Sequence, residues 1–576
     1  MKVFLAGINA SYMHTCLAVR SIYSYVRKAA GECGLDIQIE FAEYTINQNV
    51  HDILKGIRLS DADVVLFSTY IWNISVVEKI LPDVKKILPG CIIGAGGPEV
   101  SYAAEKYLKK FSCIDFIVAG EGEITVFELL KELEQKGTRD FFKNEKINVS
   151  GIYYLVPEQN KICFTGCRKL IEDFSVIPFS YPELLTENFD SDNKIYYFES
   201  SRGCPYSCSY CLSSIDKTVR FKSLEQTFSE LQIFLDANVK LVKFVDRTYN
   251  LNPERYIKIW KYILEHHNKK TMFHFEIEAE YLSENAIEFL QNVPSGIMQF
   301  EIGVQSANRN TLKAINRSDN IDVLKKNILQ IPKTIHKHLD LIAGLPYEDL
   351  KTFGRSFDFV MDLKPDALQL GFLKILHGTE MEKFAFENGW QWQENAVYET
   401  LSTPCMSFDD LMFLKDMETL VDFYWNKGHF SFTMNYIFRK VSPWIFFTGL
   451  CSFAKSLDVF STAHRELFWF ALLHDFFCFI KSDSDFFDID FKVAVEILRY
   501  DFIRLSKRSS FPDWYVHRYD KDKHRMMLEK KGMLHSTRLA FALTEFETFD
   551  YDVISSEPER NPGIFEILVE YKSPVR

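Results

Sequence analysis

The stretch "SSRGCPYSCSYC" (Ser200 to Cys211) holds three cysteines, Cys204, Cys208 and Cys211, separated by three and then two residues, with no histidine among them. Thiolates are soft ligands that suit zinc or iron-sulfur clusters. A structural zinc site takes four ligands, commonly from two close pairs. Three thiolates can instead hold a cubic 4Fe-4S cluster by three irons, leaving the fourth open to a small chelating ligand. Further along, apolar runs carry polar groups where strands would end: Asp246 and Arg247 in "KFVDRTYN", Glu276 and Glu278 in "HFEIEAE", Glu301, Gln305 and Ser306 in "EIGVQS", and Asp340 in "LDLIAGLP". Alternate residues of a strand share a face, so Glu276 and Glu278 project together. A buried acid in an apolar strand is costly unless it is paired or binds something. Three successive strands so equipped imply a polar ligand near one rim, although no catalytic residue is singled out.

The elements that must position these groups read as strands at 195–201, 239–247, 272–280, 297–306, 338–346 and 367–375, separated by helical periods such as "SLEQTFSELQIFLDAN". Six such repeats predict a partial (β/α)6 TIM-like barrel with chemistry at its C-terminal rim. Before it, strand patterns at 2–8, 37–44, 64–70, 91–97 and 116–122 alternate with amphipathic helices, which predicts a doubly wound, Rossmann-like α/β domain with ligands at the carboxyl ends of its strands. From about 405 the chain turns α-rich and dense in Phe and Trp, with strand signals returning only at "YDVISS" and "GIFEILVEYK". The expected division is 1–137, a connector at 138–194, the barrel at 195–400 and an α-rich accessory domain at 401–576.

The 576 residues carry a formal net charge of −12, which argues against non-specific nucleic-acid binding. The N-terminal "MKVFLAGINA" reads as a buried strand and not as a signal peptide. The most apolar late run, "LFWFALLHDFFCFI" (467–480), is too short to span a bilayer and contains His474 and Asp475. Twelve cysteines, mostly scattered, suit a reducing compartment, so a cytoplasmic location with no membrane association is expected. The pair Cys163 and Cys167 in "KICFTGCRKL" lacks further ligands and reads as an incidental strand-turn feature.

The C-x3-C-x2-C spacing just after the first barrel strand, with an aromatic before the last cysteine, resembles the radical S-adenosylmethionine (SAM) superfamily. By that resemblance Cys204, Cys208 and Cys211 bind a 4Fe-4S cluster, and the open iron is chelated by S-adenosyl-L-methionine, which is cleaved to methionine and a 5'-deoxyadenosyl radical. The resemblance further places Tyr210 against the adenine. It brings Glu278 or Glu276, Gln305 and Asp340 to the ribose and methionine ends of SAM, and Asp246 toward the amino group, although the common Gly-Gly-Glu version is absent there. Arg220 reads equally as a carboxylate contact or as a solvent-facing arginine.

"GAGGPEVS" and "FIVAGEGEITVFELLKEL" resemble the cobalamin-binding domain fused to many such enzymes. The positions matched to the corrin pocket are Ser68 and Thr69, Gly96 and Gly97, and Gly120, Glu121 and Gly122. Small residues there allow close approach of the backbone to a flat macrocycle. The loop "NASYMHTCLA" lacks the D-x-H-x-x-G pattern, so no protein histidine is expected to ligate cobalt, and His14 reads as a helix N-terminal residue or corrin-edge contact. The resemblance implies a cobalamin-dependent radical SAM methyltransferase acting at an unactivated carbon of an unknown substrate, fed by an external electron donor of flavodoxin or ferredoxin type. Alternatives are a radical rearrangement or cyclisation, and a cobalamin or iron-sulfur sensor whose C-terminal domain binds a partner. RNA sulfur insertion would want a second cluster, and Cys16, Cys33, Cys91 and Cys113 are too dispersed to supply one.

Overall fold

A computed structural model describes residues 1–137, 141–144, 147–156, 161–186, 193–486, 488–507, 511–533 and 537–572. Parts of the segment expected as a connector, namely 138–140, 145–146, 157–160 and 187–192, lie outside the described residues.

The N-terminal sheet is built from β1 (Lys2–Asn9), β2 (Gln38–Thr45), β3 (Val64–Ser68), β4 (Ile92–Gly96) and β5 (Phe116–Val118), all parallel, extended by the antiparallel β6 (Ile152–Val156) and β7 (Lys161–Phe164) in the order β2-β1-β3-β4-β5-β6-β7. The parallel strands read as continuous apolar runs because helices cover both faces; β1 is buried from Val3 to Asn9. Cys163 lies in β7 and Cys167 just beyond it.

A second sheet holds β8 (Ile195–Phe198). After it come β9 (Ser201–Arg202) and β10 (Arg220–Phe221), a separate two-stranded antiparallel pair. Next are β11 (Leu241–Phe244), β12 (Met272–Glu276), β13 (Met298–Gln305), β14 (His336–Ala343) and β15 (Ala367–Phe372). The order β15-β14-β13-β12-β11-β8 is parallel throughout, which is the expected open six-stranded barrel. Along β13 and β14 buried residues alternate with half-buried ones: the apolar set packs on helices, while Glu301, Gly303, Gln305, His338 and Asp340 share the opposite face.

Both lateral edges of this half barrel are covered. At β8 the Tyr181 hydroxyl accepts from the Tyr197 amide (3.0 Å) and donates to the Tyr197 carbonyl (2.8 Å), while Thr15 Oγ1 donates to the Ile195 carbonyl. At β15 the Asn426 side chain accepts from the Leu368 amide (2.8 Å) and donates to its carbonyl (3.0 Å). A side-chain amide thus stands in for a missing strand.

After a short hairpin of β16 (Gln391–Trp392) and β17 (Thr400–Ser402), the C-terminal part is mostly helical, with helices such as Phe408–Val421, Pro443–Ser456, Glu466–Phe479 and Phe491–Leu505. It ends in a hairpin of β18 (Thr544–Tyr551) and β19 (Pro562–Glu570). Its first strand is "TEFETFDY" and not "YDVISS", because Phe546 and Phe549 turn inward while most of "YDVISS" forms the turn. One apolar core runs from the barrel into these helices. The docking is specific: Asp358 on helix Leu350–Asp362 accepts from Ser442 Oγ (2.7 Å) and the Trp444 amide (2.8 Å), and the Trp444 ring lies where a side chain on Gly354 would stand. The 467–480 run is the packed helix Glu466–Phe479; among the described residues no helix is long and apolar enough to cross a membrane.

Candidate cofactor site at the barrel rim

The pair β9 and β10 forms the stem of a loop that carries all three clustered cysteines. Gly203 opens it with φ +86, and a Cβ there would stand 2.2 Å from the Thr218 carbonyl oxygen, so the two sides of the loop approach too closely for any other residue. The Cys204 amide donates to the Asp216 carbonyl (2.9 Å), the Cys211 amide to the Cys208 carbonyl (3.1 Å), and Ser209 is tied by its backbone to Ile315 and Met381. The thiol of Cys204 is 3.6 Å from Thr248 Oγ1. Burial pushes the Cys208 thiol up, against the pull of Arg317, whose guanidinium approaches its sulfur at 3.9 Å.

All twelve cysteines are free. Among the described residues no three His, Cys, Asp or Glu converge on a point where one metal ion would sit. One zinc with bonds of about 2.3 Å would draw its sulfurs to within about 4 Å of each other. Three free thiols carried on one loop are a donor set that suits a 4Fe-4S cluster, whose irons are separately ligated.

The strand-end residues divide into two groups. Around the lumen, Glu301 accepts from Lys243 (2.9 Å) and His274 (2.8 Å), and Lys243 also lies 3.6 Å from Glu276. Burial pushes Glu301 up, but His274 and Lys243 prevail and hold it at about 2. Asp340 is driven the other way, well above the usual carboxylate range, by burial and then by Glu301 and Glu276. Its Oδ1 and the Oε1 of Gln305 are buried without a hydrogen-bond partner, as is Ser209 Oγ in the cysteine loop. Buried polar atoms are normally satisfied, so three orphans around one rim fit a polar ligand. Glu278 is held by Arg317, whose Nη2 donates to both carboxylate oxygens (2.8 and 2.7 Å) and to the Gly303 carbonyl (2.9 Å). Burial pushes the Tyr210 phenol up, against the pull of Arg317; its ring packs against the small apolar cluster that includes Leu312, Leu345 and Leu373.

The second group is engaged in buried networks. Asp246 accepts from the Ser200 amide (2.7 Å) and from the hydroxyls of Ser200 (2.6 Å) and Ser201 (2.8 Å), which fixes the turn into β9. Ser306 is fully buried and donates to Glu348 (2.7 Å), with Ser356 alongside. Arg220 is buried, paired with Glu121 and Asp216, and neither faces solvent nor lies free.

Sequence reading missed Arg317, Lys243, His274 and His338. The last three share the period-2 face with the acids and could have been found by that criterion. Arg317 sits in "INRSDN", beyond any element with a period.

The N-terminal sheet presents its carboxyl ends to the barrel. The Thr69 amide and hydroxyl both donate to the Gly96 carbonyl (2.8 Å each), and Ser68 Oγ lies 3.6 Å from the Cys16 thiol. Gly97 has φ +109, and a Cβ on it would stand 2.3 Å from the Thr69 carbonyl oxygen. Over Gly120 the space is open: nothing lies within 4 Å of where its Cβ would be, and Gly122 starts helix Gly122–Lys136. These turns make a backbone-walled cradle that fits a flat macrocycle. Three strand-end loops touch the barrel: His14 Nδ1 meets the Tyr197 hydroxyl (2.7 Å), Glu99 accepts from Tyr398, and Glu121 pairs with Arg202 and Arg220. His14 also pairs as a β-bridge with Ile195; burial and then Lys243 hold its imidazole below its usual range.

Comparison with known proteins divides the chain into three family matches: "B12 binding domain" over residues 6–130, "Radical SAM superfamily" over 198–360, and "Protein of unknown function (DUF4080)" over 387–563. The chain is 27% identical over 350 residues to the uncharacterized methyltransferase PH0819 of Pyrococcus horikoshii, covering 58% of this chain and 72% of that one. It is 24% identical over 373 residues to the cobalamin-dependent radical SAM methyltransferase TokK of Streptomyces tokunonensis, covering 61% of this chain and 52%, about half, of that one. In fold it is similar to the cobalamin-dependent SAM radical enzyme OxsB solved with aqua-cobalamin, with a TM-score of 0.57 and 16% identity over 93% of this chain and 76% of that one.

Proposed function

For a chain that joins a B12-binding domain, a radical SAM domain and a C-terminal domain of the DUF4080 family, we propose the activity of a cobalamin-dependent radical SAM methyltransferase that acts at an unactivated carbon. The observation that carries the reading is the cysteine loop at the mouth of the half barrel, whose stem is paired with Glu121 of the glycine turn after β5. Methyltransferase relatives that cover 58% and 61% of this chain support it.

In this reading Cys204, Cys208 and Cys211 hold the 4Fe-4S cluster, and Ser68, Thr69, Gly96, Gly97, Gly120 and Gly122 wall the corrin. When bound, the cluster supplies the electron that splits SAM into methionine and a 5'-deoxyadenosyl radical, and cobalamin carries the methyl group. The chain's own residues orient and shield. Arg317 Nη2 donates to Glu278 and Gly303 and Nη1 lies 3.9 Å from the Cys208 sulfur, which sets the guanidinium beside the cysteine loop, where it would meet the carboxylate of SAM. Asp340 and Gln305 would meet the ribose and methionine ends of SAM with oxygens that lack a hydrogen-bond partner. Tyr210 flanks the adenine. Glu301 stays ionised on Lys243 and His274 and keeps the lumen polar for the substrate. Asp246 and Ser306 act through the turns they brace. An external flavodoxin or ferredoxin supplies electrons in a reducing cytoplasm, and the net charge of −12 disfavours non-specific nucleic-acid binding.

Anaerobic reconstitution with iron, sulfide, cobalamin, SAM and a reductant tests the reading. The expected products are 5'-deoxyadenosine and S-adenosylhomocysteine. Deoxyadenosine alone favours the rearrangement or cyclisation; intact SAM under adequate reduction favours the sensor. Cys208→Ala should lose cluster absorbance and SAM cleavage while the far-ultraviolet dichroism is kept. Full cluster content in that variant would sink the ligand assignment.

A further inference from the structure

We propose that Glu121 and Glu123 of the N-terminal domain are positioning residues for the cysteine loop, holding its stem closed against repulsion between two arginines; this rests on the reading of that loop as a cluster site. Arg202 and Arg220 are register partners, directly opposite across β9 and β10. Like charges facing each other on paired strands are destabilising. This stem has only two residues a side to resist it.

Glu121 reaches across the domain boundary and puts one oxygen between them: Oε1 is 3.2 Å from Arg202 Nη1 and 2.7 Å from Arg220 Nη1. Among the described residues it is the one carboxylate within bonding distance of both guanidiniums. Its other oxygen accepts from the Ile171 amide (2.7 Å), which fixes its direction. Glu123 adds a bond to Arg202 Nη2 (2.6 Å) and is itself oriented by Ser21 Oγ (2.8 Å). Glu199 and Asp216 each serve one arginine.

The bracing extends to a cluster cysteine. Arg220 Nη2 holds the Asp216 carboxylate (2.7 Å), and the Asp216 carbonyl receives the Cys204 amide (2.9 Å). Arg202 is two residues ahead of Cys204, across the Gly203 turn. The four side chains at the centre, Arg202, Arg220, Glu121 and Glu123, are 7–15% exposed, so the pairing is poorly screened. The Gly-Glu-Gly-Glu turn after β5 therefore does more than wall a corrin: its acids close the loop that holds the metal. Docking of the N-terminal domain and retention of the cluster are consequently coupled.

The test uses the full chain reconstituted anaerobically, with iron release to a chelator followed by absorbance. Glu121→Gln keeps the shape and removes the charge, and should lose iron about tenfold faster than the unmodified chain, as expected for unpairing buried charges. Glu123→Gln should act in the same direction but less. In a chain already carrying Arg220→Gln one of the opposed charges is gone, so adding Glu121→Gln should change the rate less than it does alone. Wild-type retention by Glu121→Gln, or effects of the two substitutions that simply multiply, would overturn the proposal. So would a Glu121→Gln chain that loses only its cobalamin spectrum. Failure of the unmodified chain to take up any cluster would overturn the functional reading as well, whereas normal loading with indifferent variants would remove this inference alone.

Discussion

Glu301 and Asp340 lie on adjacent strands two register rows apart, yet their surroundings drive them in opposite directions. Glu301 sits at about 2, below an ordinary carboxylate near 4.5, so its pairing stabilises the fold at pH above about 4.5 and is lost as pH falls toward 2. Glu301→Gln should therefore cost about 1–2 kcal/mol near neutrality, discounted for partial exposure, and nothing near pH 2, measured by urea unfolding across pH. A constant difference over that range would refute the pairing. Glu348 has the contrary sign: buried between Ser306 and Ser356, it is pushed up from 4.5 to about 7, so its neutral form stabilises at low pH and that contribution is lost as pH rises from about 4.5 through 7. Glu348→Gln should gain about 1–3 kcal/mol on the native protein between pH 5 and 8; an unchanged difference would contradict it. Glu301 was legible in the sequence because an acid interrupts an apolar strand. Glu348 was not, since in "LPYEDL" it looks like an exposed turn residue and only the fold buries it.

The parallel strands were the most legible elements. Burial of both faces writes a continuous apolar run in β1, burial of one face writes an alternation in β13 and β14, and each survives without knowledge of neighbours. β6 was not read, because "IYYLV" is short and pairs only by joining an existing sheet edge, whereas β7 was legible as the strand of a strand-turn feature in "KICFTG". The stem of the cysteine loop has two residues a side and no propensity signal at all; what the sequence showed was its cysteines. Gly203→Ala makes the dependence testable. The new Cβ would meet the Thr218 carbonyl and φ +86 disfavours it, so the variant should bind less iron while melting within a few degrees of the unmodified chain. Normal iron content would show that the loop tolerates a wider neck.

At the level of the whole chain, the three-part architecture was readable, whereas the way the parts touch was not. Contacts such as Tyr181 with β8, Asn426 with β15 and Glu121 with two arginines join residues far apart in sequence and leave no periodic trace. The C-terminal helices share one apolar core with the barrel, so a chain ended after Ser402 should expose that face and the β15 edge and aggregate, as followed by light scattering during size-exclusion chromatography. A monodisperse truncated chain would show the barrel to be self-sufficient. A half barrel ordinarily invites a neighbouring molecule to add a strand at either end. Here a tyrosine hydroxyl at one flank and an asparagine amide at the other occupy the backbone groups such a guest would need. A strand added at either flank of the barrel would first have to displace these side chains, so both ends of the reaction chamber are closed from within the chain.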